Sequence, residues 1–138
     1  MKTKTKTKKK IFITLLFSFL TVQTVYATWS SYGTFNVGPL MAVQNYMTNG
    51  NRLYHGKTTN STQVSFSASA KTMTSTPAAR IVNNVFEARS SWVNLPNAGS
   101  TYSSNSNSGS AGSNYYLQVR SAINQIGTDS ITIRFNPN

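Results

Sequence analysis

The chain has 138 residues, with 13 Lys and Arg against two acids, one histidine and no cysteine. Six of the lysines fall within the first ten residues, so residues 28–138 carry seven basic side chains against Glu87 and Asp129, a net charge of +5. This composition excludes disulfide scaffolds and thiolate-based metal or redox sites, and the length allows one domain with one core.

Residues 1–27 read as an export signal. Lysines at positions 2, 4, 6, 8, 9 and 10 precede a non-ionic stretch from Ile11 to Ala27. Charged, apolar and small-residue regions in that order match a secretory signal, with cleavage between Ala27 and Thr28. The competing reading is a membrane anchor. A spanning helix needs about 20 predominantly apolar residues, and Thr21, Gln23 and Thr24 are polar. The expected location is therefore extracellular, and the Ser/Thr/Asn-rich polar residues suit a protein in or near a cell wall.

The remainder, residues 28–138, reads as a single β-rich domain. Gly33–Val37 is a predicted strand, ended by turn chemistry at Gly38-Pro39. Asn49-Gly50 is a hairpin signal that would bring Met41–Met47 against Arg52–Lys57, and a strand is expected over Arg52–Thr58. Val64–Lys71 alternates strictly, with Val64, Phe66, Ala68 and Ala70 on one face and serines on the other.

The stretch after Thr76-Pro77 fits two templates. Ile81, Val82, Val85 and Phe86 fall at helical spacing behind an N-cap-like Thr-Pro. Phe86 to Trp92 alternates like a strand, and the β-branched and aromatic content favours a strand from about Ile81 to Val93. Residues 97–114 are Ser/Asn/Gly-rich and are expected to form a long flexible loop. Tyr115–Ile123, with Tyr115, Leu117, Val119 and Ile123 on one side, and Ile131–Phe135 complete the strands. Five to seven strands without a βαβ rhythm predict an all-β fold, a small antiparallel β-sandwich or an open barrel.

Proton-handling groups are scarce. A two-carboxylate hydrolase needs paired acids, and residues 28–138 hold only Glu87 and Asp129. Near Arg89, Glu87 reads as a cross-face ion pair or a solvated strand residue, Asp129 as a turn residue, and His55 as a surface or cross-strand residue. No phosphate-binding loop, dinucleotide fingerprint or nucleophile elbow is present. No catalytic residue, metal site or cofactor is expected. A hydrolase would require His55, Glu87 and Asp129 to converge in one cleft.

Aromatic and basic residues are interleaved instead: Arg52-Leu-Tyr54-His-Gly-Lys57, Arg89-Ser-Ser-Trp92, and Tyr115-Tyr116 with Arg120. Such a surface stacks on flat rings and attracts anionic polymers. Phe35, Phe66, Phe86, Phe135 and Trp92 are assigned to the core. Tyr32, Arg52, Tyr54, Lys57, Tyr116 and Arg120 are the candidate ligand-binding residues.

Tyr32-Gly33…Phe35-Asn-Val37, Asn49-Gly-Asn-Arg52-Leu-Tyr54…Thr58-Thr59 and Asn114-Tyr115-Tyr116 together resemble a group of small secreted Gram-positive β-proteins. The resemblance implies an exported, β-rich protein and no particular activity. The expected function is a non-catalytic binding module of the cell envelope, with an anionic cell-wall polymer or glycan as partner. Nucleic acid fits an exported chain of +5 poorly. The alternative is a bacteriocin-like or membrane-active antagonist, with a membrane surface as partner and Val64–Met73 as an inserting segment.

Overall fold

A computed structural model describes residues 28–138. Residues 1–27, the stretch expected to be an export signal, lie outside the described residues. The domain is all-β. Nine strands run in order: β1 (Gly33–Val37), β2 (Val43–Gln44), β3 (Tyr54–Gly56), β4 (Val64–Lys71), β5 (Ala78–Val82), β6 (Val93–Asn94), β7 (Thr101–Ser104), β8 (Asn114–Arg120) and β9 (Asp129–Asn136). They form two antiparallel sheets that do not close into a barrel, a β-sandwich. One sheet has the order β1-β9-β4-β7. The other has β2-β8-β5-β6, with β3 also pairing β8.

Period-two alternation decides what each sheet buries. Phe35 and Val37 of β1, Val64, Phe66 and Ala68 of β4, and Ile131, Ile133 and Phe135 of β9 point inward from the first sheet. Ala79 and Ile81 of β5 meet them from the second sheet, with Tyr115, Leu117 and Val119 of β8. Paired positions share a face, so Phe66 lies opposite Phe135, and Leu117 opposite Ile81. Gly33 faces the same core, where a Cβ would collide with Met47 Sδ and approach Leu53. The missing side chain lets the 45–53 excursion close over β1.

Several expectations need correction. Met41–Met47 and Arg52–Lys57 do not form a hairpin with each other. β2 and β3 instead pair in succession along one edge of β8, Val43 opposite Arg120 and Tyr54 opposite Tyr116. Asn49-Gly50 still turns the intervening loop, with Gly50 at φ 79° and its N–H donating to Met47 O. β4 does not alternate to its end, because a bulge between Ala68 and Ala70 re-aims the strand. Ala70 is exposed as a result.

Neither template for 76–93 holds throughout. A strand covers Ala78–Val82, then the chain reverses at residues 83–86 and returns antiparallel to β6. Asn83 directs that reversal: its Oδ1 accepts from the N–H groups of Val85 and Glu87. Residues 97–114 are not one continuous loop, since Thr101–Ser104 pairs with β4. The segment is held elsewhere by Asn107, whose Nδ2 donates to Pro137 O and whose Oδ1 accepts from Gly109 N–H. β8 ends at Arg120, and Ile123 is exposed in the loop beyond it. Val64–Met73 is no free inserting segment, because most of it is β4, an interior strand between β9 and β7.

Candidate functional site

Inward positions of β5 and β8 are apolar, which leaves their outer positions to other chemistry. On β8 these are Tyr116, Gln118 and Arg120; on β5, Arg80 and Val82; on β3, Tyr54. Strand alternation alone therefore lines up rings, an amide and guanidinium groups on one surface. Two cation-aromatic clusters result, spread over the four steps from Tyr116 to Arg120, about 13 Å along a strand.

The first cluster surrounds Arg52. Its guanidinium lies 3.7 Å from the Tyr116 ring centroid on one side and 4.2 Å from that of Phe86 on the other. Nη1 donates to Asn84 O at 3.1 Å and Nη2 to Asn83 O at 3.3 Å. Arg52 thereby ties the start of β3 to the β5–β6 turn. Its Nε is buried and has no partner. Tyr54 packs beside Tyr116 at 6.0 Å between ring centroids and is itself exposed. A cleft of about 680 Å³ opens here, lined by Met47, Arg52, Tyr54, His55 and Tyr116 among others.

The second cluster surrounds Trp92. Arg80 lies 4.4 Å and Arg120 4.5 Å from its ring centroid. One ring thus serves two cations, and burial followed by the nearby Arg120 charge lowers the Arg80 pKa. Neither arginine has a carboxylate in an ion pair; among the described residues the ion pair found is Arg89–Glu87, at 2.7 Å. Gln118, itself buried, ties Arg80 to the loop after β2. Its Oε1 accepts from Arg80 Nε at 2.7 Å and its Nε2 donates to Asn45 Oδ1 at 2.6 Å.

Of the six candidate residues, the structure brings Arg52, Tyr54, Tyr116 and Arg120 onto this face. Tyr32 belongs elsewhere: it stacks with Trp29 around Arg134 on the outside of the other sheet. Lys57 is a correction. It is only 1% exposed, and its ammonium donates to Ser61 O. Burial lowers its pKa below the ordinary 10.5.

Phe86 and Trp92 are corrections in the opposite sense. Phe86 is exposed in the β5–β6 turn at φ 67°, and Trp92 is half-buried beneath two guanidiniums. Arg80, Phe86, Gln118 and Trp92 were missing from the expected site. For Gln118 the signal was available, since it occupies the outward phase of the expected Tyr115–Ile123 strand; Arg80 precedes the strand expected from Ile81 and falls instead within β5.

The proton-handling groups occupy separate places. His55 lies opposite Tyr115, its Nε2 bonded to Thr28 Oγ1 at 2.9 Å. Glu87 engages Arg89 and Asn83 in the β5–β6 turn. Asp129 begins β9 at the far end of the sandwich and accepts from Thr72 Oγ1. The chain matches no family model, no curated protein and no solved structure.

Proposed function

We propose that this protein is a secreted, non-catalytic binding module that holds an anionic glycan or related cell-envelope polymer along the outer face of its five-stranded sheet. The observation that carries this reading is the alternation of rings with arginines that have no carboxylate partner: Arg52 between Phe86 and Tyr116, then Arg80 and Arg120 on Trp92. A stacked guanidinium keeps its charge and its remaining N–H donors while its orientation is held by the ring. Such donors suit phosphate or carboxylate oxygens. The exposed Tyr54 ring and the cleft beside it supply an apolar surface for a sugar.

Length favours a polymer over a small molecule. The row of rings and arginines runs from Tyr116 to Arg120, about 13 Å along β8, longer than one monosaccharide unit. The test is retention of the protein, started at Thr28, on isolated Gram-positive cell walls and on a teichoic-type polymer at low and high salt. Retention at low salt, weakened in R52A and in the R80Q/R120Q double variant, is the expected result. Absence of retention at low salt refutes the proposal.

A further inference from the structure

A second surface lies at the end of the sandwich opposite Thr28 and His55. Three loops meet there: residues 38–42, 72–77 and 121–128. They leave aliphatic side chains in water, with Leu40 70%, Ile123 72% and Ile126 93% exposed, and Met41 and Val43 beside them. Leu40 N–H donates to Gln125 O, and Gln125 Nε2 donates to Val37 O at 3.0 Å, so two of these loops are tied together. Leu40 and Met41 are also consecutive residues in the left-handed region, at φ 56° and 62°. A side chain is strained there, since its Cβ crowds the following carbonyl. Strain and exposed apolar area coincide at one tip, and neither helps the fold.

Directly behind the tip is a cleft of about 300 Å³, lined in part by Met41, Thr76, Asn94, Arg120, Ser121 and Ile123. Its polar side contains Arg120 and Ser121. Ser121 is 2% exposed, and its Oγ has no hydrogen-bond partner. A buried hydroxyl without a partner is a donor the fold leaves unused, and an anionic oxygen would accept from it. Lys71 and Arg120 outnumber Asp129 among the charges at this end.

We infer that this end of the sandwich docks on an anionic phospholipid bilayer, with a lipid phosphate at Arg120 and Ser121 and the aliphatic tips of Leu40, Ile123 and Ile126 in the acyl boundary. This docking surface goes beyond the polymer-binding reading and shares Arg120 alone with it. Free phosphate would meet the guanidinium and the hydroxyl but leave the aliphatic tips in water. A bilayer meets both, because apolar insertion and headgroup attraction act on neighbouring atoms. The tips project from separate loops, a shape suited to entering a fluid interface.

The experiment is flotation of the protein with vesicles of phosphatidylglycerol and phosphatidylcholine, and with phosphatidylcholine alone. The expected result is co-flotation with the anionic vesicles, partly retained at about 0.5 M salt, where charge attraction is screened but apolar insertion is not. I123S/I126S should lower partitioning about tenfold or more, with an unchanged circular dichroism spectrum because both positions are exposed. R120Q should weaken flotation with the anionic vesicles and leave that with phosphatidylcholine alone unchanged.

R52A should float like wild type while losing polymer retention, which separates this inference from the polymer reading. Equal flotation of I123S/I126S and wild type would overturn it, as would complete loss of binding at high salt. Two further outcomes also overturn it. One is a change in Trp92 fluorescence with inorganic phosphate alone and no flotation. The other is a dimer in sedimentation that I123S/I126S dissolves, which would assign the tip to a second copy of the chain.

Discussion

Lys57 Nζ donates to the Ser61 carbonyl from a site that is almost closed to water. Burial lowers its pKa below 10.5, so the unfolded chain holds this proton more tightly than the folded one. Stability from this group is therefore present above the unfolded pKa and is lost as pH falls through the folded value. K57M has no such titration. The melting temperature of wild type should rise relative to K57M as pH is raised toward the ordinary lysine value of 10.5, as read by thermal denaturation; parallel curves would mean that Lys57 is solvated. Arg52 makes a different kind of contact, planar on both faces. R52K keeps the charge but loses both stacking surfaces and the fork to Asn83 and Asn84. Polymer affinity should fall about tenfold in calorimetry despite the retained charge.

Element by element, the readable parts were those in which one period ran unbroken between turns. β1, β9 and the first five residues of β4 alternate with the core, and their inward residues are all buried. The bulge in β4 was invisible because Ser69 and Ala70 look like further steps of the same pattern. The β5–β6 reversal was hidden differently. Val85 and Phe86 carry strand propensity, yet the Asn83 side chain captures two backbone N–H groups and turns the chain there. Phe86 then sits at φ 67°, and its ring serves Arg52. F86G removes the strain along with the ring, whereas F86A removes the ring alone. F86G should be more stable than F86A by about 1 kcal/mol in urea denaturation, and both should bind polymer more weakly than wild type. Equal stability of the two would mean that the turn relaxes without cost.

Across the whole molecule, a shortage of acids shapes the electrostatics more than the number of bases does. Residues 28–138 hold two carboxylates. Glu87 is taken up by Arg89, and Asp129 lies at the far end beside Thr72. Arg52, Arg80 and Arg120 therefore share the outer face of one sheet without a neutralising partner. The sequence announced the charge balance but not this segregation, which depends on strand register: a one-residue slip of β8 would send Tyr116, Gln118 and Arg120 into the core. The segregation has a thermodynamic signature. Each phosphate neutralised on a flexible polyanion lowers the slope of log affinity against log salt by about 0.7. Three arginines engaged together predict a slope of about −2, reduced to about −0.7 in R80Q/R120Q. An uncharged glycan of similar length, held by the rings alone, should show almost no salt dependence. A wild-type slope near zero with the charged polymer would mean that the arginines only orient Trp92, Tyr116 and Phe86, and that ring stacking carries the binding.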